Sequence, residues 1–265
     1  MKALVTGASS GIGRDIARAL VCRGWDVILV ARRADRLLEL KKELGKHAKC
    51  VRCDVSKEEE CRKLHEVLQG EDIEMLVNCA GFGLCGYFTE TSLDRELQMI
   101  DTNIKGLHIL TKLYLGDFVL KNKGYILNVA SVAGFMPGPL MATYYATKSY
   151  VVSLTAAISE ELRHKGSDVK ISAFCPGPVD TEFNNVANVR FTVSALDSKT
   201  AAAAALDGVM KGKLYVTPTF SIKCVRLARK LLPDKVMARM CYSVQKKKRD
   251  SGKKNTERLY ENADI

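Results

Sequence analysis

The 265-residue sequence predicts an α/β fold, a doubly wound parallel sheet. Two observations carry this reading. Six short apolar runs alternate with amphipathic segments, and a glycine-rich turn separates the first run from the first such segment. The runs are Lys2–Thr6, Asp26–Ala31, Lys49–Cys53, Met75–Asn78, Tyr125–Ala130 and Lys170–Phe174. They are short, β-branched and nearly all apolar, the pattern of strands covered on both faces. The segments between them, Gly13–Arg23, Ala34–Leu44, Lys57–Gln69, Leu93–Leu120 and Tyr144–Lys165, carry helical periodicity. Repeated strand–helix units place helices on both sides of one parallel, Rossmann-like sheet.

Punctuation supports these boundaries. Gly24 stops the first helix, and Pro137 and Pro139 break the chain before the helix that begins at Tyr144. After Pro176 the alternation ends. Residues 181–200 are polar and mixed, and read as a substrate loop with short helices. Residues 201–211 read as helix and Lys213–Thr217 as a last strand. Residues 220–249 read as a cationic amphipathic helical segment broken at Pro233, with fraying beyond Lys246. The expected organisation is one catalytic domain over residues 1–219 and a basic helical extension over 220–265.

The charge supports that division. Residues 221–254 hold twelve Lys/Arg against two acids, so they carry +10 of the net +11. The body is close to neutral, and the basic balance describes an appendage, not a nucleic-acid-binding fold. The appendage has three readings: a solvated surface helix, a contact with an anionic membrane surface or anionic substrates, or a subunit interface. No run is long enough to span a membrane. Ala3-Leu4-Val5 is too short and wrongly flanked for a signal peptide. Nine scattered cysteines read as reduced thiols in a soluble cytoplasmic protein. Cys50-x-x-Cys53 stands without a second pair or nearby histidines, so no metal site is expected.

The turn Thr6-Gly7-Ala8-Ser9-Ser10-Gly11-Ile12-Gly13 follows the first strand and opens the first helix. Its glycines let backbone approach a ligand, and free N–H groups at the helix start attract phosphate. The spacing is Gly-x-x-x-Gly-x-Gly. The second strand ends at Ala31 with Arg32 and Arg33 and no acid. An acid there would bind a ribose 2′-hydroxyl, whereas arginine suits a 2′-phosphate. Arg32, assisted by Arg33, therefore selects NADP(H). Asp54, before Val55, can accept from an adenine amino group. The small residues of Asn78-Cys79-Ala80-Gly81 let a cofactor lie on the sheet edge.

Tyr144 and Lys148 stand four apart on a helix and share a face. A cation beside a phenol favours the phenolate, which would make Tyr144 a general acid/base. Ser131 lies thirteen positions upstream, just past an apolar run.

Taken in order, Thr6–Gly13, Asp54, Asn78-Cys79-Ala80-Gly81, Asn103, Ser131, Tyr144, Lys148 and Pro176-Gly177-Pro178-Val179-Asp180-Thr181 resemble the classical short-chain dehydrogenase/reductase family over residues 1–182. Two departures are Cys79, where the family usually carries asparagine, and the long basic C-terminal segment. The resemblance implies a catalytic set. Tyr144 exchanges a proton with the substrate oxygen, Ser131 polarises that oxygen, Lys148 binds the nicotinamide ribose, and Asn103 holds a relay water. It also implies a cofactor set. Gly7, Ser9, Ser10, Gly11, Ile12 and Gly13 form the turn, with Arg32, Arg33, Asp54 and Val55 at the adenosine end. Asn78, Ala80 and Gly81 lie beneath, and Tyr144, Lys148, Pro176, Gly177, Val179 and Thr181 surround the nicotinamide. Such enzymes usually assemble as dimers or tetramers.

The expected substrate wall is Phe82, Leu84, Phe135, Met136, Leu140, Phe183 and Phe220, with Tyr145 packing or lining the pocket. It is apolar, with little charge to hold an acid. It fits a bulky hydrophobic ketone or alcohol such as a hydroxysteroid or bile acid. A 3-oxoacyl thioester or general carbonyl reductase is the alternative, and a non-catalytic NADP(H)-binding regulator a remote one. The four histidines, His47, His65, His108 and His164, show no catalytic pattern.

Overall fold

The computed structural model describes residues 1–187 and 195–246. Its elements, in chain order, are β1 (Lys2–Thr6), α1 (Gly11–Cys22), β2 (Asp26–Ala31), α2 (Ala34–Leu44), β3 (Ala48–Arg52), α3 (Glu58–Val67) and β4 (Ile73–Asn78). There follow α4 (Leu93–Ile100), a π-helical stretch (Asp101–Gly106), α5 (Leu107–Leu120), β5 (Tyr125–Val129), α6 (Ala142–His164) and β6 (Lys170–Phe174). The last are α7 (Phe183–Val186), α8 (Ser198–Met210), β7 (Tyr215–Val216), α9 (Phe220–Leu231) and α10 (residues 234–246).

The strands form one parallel sheet in the order β3-β2-β1-β4-β5-β6-β7. Strand side chains alternate between two cores. Val5, Val27, Leu29, Met75, Val77 and Leu127 pack toward α1, α2 and α8. Leu4, Ile28, Leu76, Ile126 and Ile171 pack toward α3, α5 and α6. Each such side chain is nearly fully buried, worth about 1.5–3 kcal/mol over an exposed one. Double coverage is why the runs read apolar on both sides. The chain winds outward from β1 to β3, then returns to place β4 beside β1. That reversal opens a crevice at the carboxyl ends of β1 and β4, where ligands of such sheets bind.

Beyond shifts of one to three residues at element ends, three features differ from the sequence reading. The stretch 93–120 is not one α-helix, because the π-helical turns at 101–106 interrupt it. An inserted residue widens the turn without breaking apolar periodicity, so the pattern does not show it. The widened turn packs close on the loop after β3, since a Cβ on Gly106 would lie 2.1 Å from the Val55 carbonyl oxygen. The last strand shortens to Tyr215–Val216. The substrate loop holds α7 and a bridge between Val179 and Leu196, and α8 starts within it at Ser198. Its residues 188–194 lie outside the described residues, as does the fraying segment 247–265.

The described part of the basic segment, up to residue 246, packs on the body. Ile222 on α9 is buried against Cys175 and Phe135. Met237, Cys241 and Gln245, at i, i+4 and i+8 on α10, are 5%, 6% and 2% exposed. That spacing puts one face of α10 against the body.

Candidate active site

The crevice begins with a tie between two strand ends. Thr6 Oγ1 accepts from the backbone N–H groups of Cys79 (3.0 Å) and Ala80 (3.2 Å). This pins the turn after β1 against the chain after β4. The contact leaves no room for a side chain, since a Cβ on Gly7, at φ +67°, would stand 2.8 Å from the Ala80 nitrogen. One on Gly13 would stand 2.5 Å from the Gly7 oxygen. The two glycines bring the turn and the first turn of α1 together. The other wall is Pro176, Gly177, Val179 and Thr181, anchored by Val132 N–H donating to the Pro176 carbonyl at 2.8 Å.

The adenosine end carries Asp54, Val55, Arg32 and Arg33. Asp54 folds its own turn, Oδ1 accepting from Ser56 N–H (3.1 Å) and Oγ (2.8 Å). Arg33, not Arg32, is the arginine fixed over the glycine-rich turn. Its Nη2 donates to Ser10 Oγ at 2.8 Å and Ser9 Oγ at 3.1 Å. Arg32 reaches outward and comes only within 4.0 Å of Asp54. The Glu182 carboxylate sits on Arg33 (3.2 Å) and Arg36 (2.6 Å). An anion of the protein's own thus occupies the arginine cluster at the end of β2. These residues fit NADP(H): a turn that admits a pyrophosphate, and guanidinium groups where a 2′-phosphate belongs.

Asn78 does not line this crevice. Its side-chain amide is buried under α5 and donates to Asn128 Oδ1 (2.9 Å) and Thr111 Oγ1 (3.0 Å). It shares the face of Leu76, two residues earlier, and Ala80 and Gly81, past the end of β4, meet the crevice instead.

At the far end Ser131, Tyr144 and Lys148 converge. Ser131 follows β5 and caps a short 3₁₀ turn, its Oγ accepting from Ala133 N–H at 3.1 Å. Its hydroxyl faces the Tyr144 hydroxyl, near enough to favour the phenolate. Lys148 lies one turn along α6. Its ammonium donates to the Val129 carbonyl at 2.8 Å and sits 5.8 Å from the Tyr144 ring centroid. The expected depression of the Tyr144 pKa is not what this geometry gives. Burial pushes the phenol up to about 12, opposed by the Ser131 hydroxyl. Burial pushes Lys148 down to about 8. Desolvation outweighs the charge because both groups are buried and the ammonium turns toward Val129.

Asn103 stands behind this set on the π-helical stretch, 1% exposed. Its Nδ2 donates to the Phe82 carbonyl (2.9 Å) and Thr147 Oγ1 (3.1 Å), and its Oδ1 accepts from Phe82 N–H (3.1 Å). A Cβ on Gly81 would come within 2.9 Å of that oxygen and 3.6 Å of Lys148 Nζ. Asn103 therefore ties α6, the π-helical stretch and the loop after β4 together beside the lysine.

The substrate wall is mixed in outcome. Phe82 and Phe183 line the crevice, and Phe183 packs 5.4 Å from the Tyr144 ring. Leu84 and Met136 belong to the apolar cluster around Met99 and Met141. Phe135 is core, edge-on to Tyr215 at 5.7 Å, and Leu140 is also buried. The side chain of Phe220 lies outside the described residues. Tyr145 does line the crevice. Arg95, Met141 and Gln245 join it without having been expected. Arg95 stacks over Phe82 at 5.0 Å, so the wall has a cation after all. Gln245 donates to the Tyr145 hydroxyl, as does the Cys241 thiol at 3.4 Å, while Gln245 Oε1 has no partner among the described residues. The spacing of Met237, Cys241 and Gln245 was the signal that α10 faces inward. The histidines lie apart from the crevice; His65, for example, pairs with Asp117 at 2.7 Å.

Comparison with known proteins agrees with this geometry. The family described as short chain dehydrogenase matches residues 1–190. The chain is 37% identical over 190 residues to the NADP-dependent 3-hydroxy acid dehydrogenase of Salmonella typhi, covering 70% of this chain and 76% of that one. It superposes on a short-chain dehydrogenase from Sphingobium yanoikuyae in complex with NADPH. That match has TM-score 0.77 and 29% identity, over 86% of this chain and 93% of the other. It also superposes on the bulky-bulky ketone specific alcohol dehydrogenase from Comamonas testosteroni, with TM-score 0.76 and 27% identity, over 86% and 92% of the two chains. The chain belongs to the short-chain dehydrogenase family, and it is an oxidoreductase.

Proposed function

We propose that this NADP(H)-dependent oxidoreductase interconverts a bulky hydrophobic ketone and its secondary alcohol. The observation that carries the reading is the Ser131–Tyr144 hydroxyl pair, set in a crevice with Lys148 one helical turn away. In reduction, the Tyr144 hydroxyl gives its proton to the carbonyl oxygen as negative charge develops there. The Ser131 hydroxyl holds that oxygen and orients it toward the tyrosine. Lys148 presents an ammonium to the ribose side of the crevice, and Asn103 positions the loop and helix that frame it. When bound, NADPH supplies the hydride. A phenol raised to about 12 stays protonated near neutral pH, which suits the reductive direction.

NADP(H) is supported by the arginine cluster at the end of β2, and the named relatives and neighbours point the same way. The apolar lining by Phe82, Met141 and Phe183, and the likeness to a bulky-ketone dehydrogenase, support a large substrate of hydroxysteroid or bile-acid type. One observation favours a second reading. Arg95 lines the crevice and takes part in no ion pair among the described residues, which suits a 3-oxo acid or another anionic carbonyl compound. Nine free thiols suit a cytoplasmic setting. Leu93, Leu97 and Ile100, exposed on one face of α4, supply apolar surface for a homo-oligomer.

The test is NADPH oxidation across steroid, bile-acid, 3-oxo acid and simple ketone panels. Turnover on bulky neutral ketones supports the first reading and preference for 3-oxo acids the second. No turnover on any of them defeats both.

A further inference from the structure

The faces of α10 do different things. Met237, Cys241 and Gln245 are buried, with Cys241 and Gln245 on Tyr145 at the substrate end of the crevice. One position earlier, Val236, Met240 and Val244 form a parallel row that is 38%, 58% and 49% exposed. At 3.6 residues per turn, Lys235, Arg239 and Lys246 fall on the next strip, on the side away from the protein. Around the helix the order is body contact, exposed apolar row, cations. The preceding helix adds apolar surface: Leu227 and Leu231 on α9 are 60% and 76% exposed, one turn apart and on the side opposite the buried Ile222. A hydrogen bond between the Tyr87 and Tyr242 hydroxyls, at 3.0 Å, brings a loop carrying exposed Phe88 alongside α10.

We infer that α9 and α10 form a docking surface for an anionic lipid bilayer, holding the mouth of the substrate crevice at the membrane. Apolar side chains bordered by a cationic strip are what an interfacial helix presents to headgroups and acyl chains. The charge selects the occupant. A second copy of this face would set +6 against +6 over residues 221–246. A nucleic acid would satisfy the cations and leave Val236, Met240, Val244, Leu227 and Leu231 in water. No helix among the described residues is long and apolar enough to cross a membrane, so contact is peripheral. The helix that would dock also walls the crevice with its opposite face, so an apolar substrate would enter from the lipid side. That last step rests on the proposed hydrophobic substrate; the docking does not.

The experiment is co-sedimentation of the full chain with phosphatidylcholine vesicles, with and without phosphatidylglycerol, at low and high salt. Two variants accompany it: Met240→Ser with Val244→Ser, and Lys235→Gln with Arg239→Gln. All four positions are solvent-facing, so NADPH oxidation on a water-soluble ketone reports that each variant folds. The inference predicts sedimentation with phosphatidylglycerol vesicles only, at least tenfold weaker for either variant, with soluble-ketone turnover unchanged. It is overturned by absence of sedimentation, or by salt-sensitive binding that ignores the serine pair, which is adsorption by charge alone. It is overturned too if the serine pair changes the sedimentation coefficient of the free protein, which assigns the face to a second copy. Vesicle binding by a protein that reduces no ketone upholds the docking and defeats the proposed function alone.

Discussion

The Lys148 ammonium donates to the Val129 carbonyl 2.8 Å away, and this bond fixes the lysine beside Tyr144. The carbonyl belongs to the last residue of β5, and Ser131 lies two residues further on. One strand end thus positions both partners of the tyrosine. The lysine is buried, which lowers its pKa to about 8 from 10.5. A cation held in this way costs stability and serves the chemistry.

That cost gives a pH signature. Between pH 8 and 10.5 the unfolded chain keeps a proton on Lys148 that the folded chain has lost, so folding stability rises with pH there. Tyr144 acts oppositely. Its folded value of about 12 exceeds the ordinary 10, so stability falls from pH 10 to 12 as the unfolded chain alone ionises. Thermal melts should show wild type gaining on Lys148→Met from pH 8 to 10, by at most about 1.4 kcal/mol per pH unit. Parallel curves would contradict the buried-lysine account.

The arginine fixed over the glycine-rich turn should decide cofactor choice. Arg33→Ala is expected to raise KM for NADPH roughly 10- to 100-fold, the loss of one or two charge-assisted hydrogen bonds, and to leave NADH nearly unchanged. Arg32→Asp should turn preference toward NADH more weakly. Steady-state kinetics with both cofactors decides this; a larger effect at Arg32 than at Arg33 would restore the order expected from sequence.

Arg95 separates the two substrate readings. Arg95→Leu should lower kcat/KM for a 3-oxo acid about tenfold while neutral ketones change less than about twofold. An equal fall on both classes would show that its stacking on Phe82, not its charge, is what matters.

Much of this architecture is legible in the sequence because its signals are local. Double-sided burial makes β1 and β2 unbroken apolar runs. The turn at Gly7–Gly13 stands where backbone contacts exclude a Cβ. What sequence hides is tertiary. The π-helical turn that presents Asn103 preserves apolar periodicity, so 93–120 reads as one helix. Arg95 looks like any charge on a solvated face until α4 is seen against Phe82. Asn78 lies in the right motif but points under α5. The balance that raises the Tyr144 pKa depends on how deeply α6 is buried, which a spacing of four residues cannot report.

The central claim is that the Tyr144 hydroxyl carries the proton, and Tyr144→Phe tests it most directly. NADPH oxidation by this variant should fall about 100- to 10,000-fold, while quenching of protein fluorescence by NADPH shows unchanged affinity. Turnover within a few-fold of wild type, with cofactor binding intact, would remove Tyr144 from the chemistry.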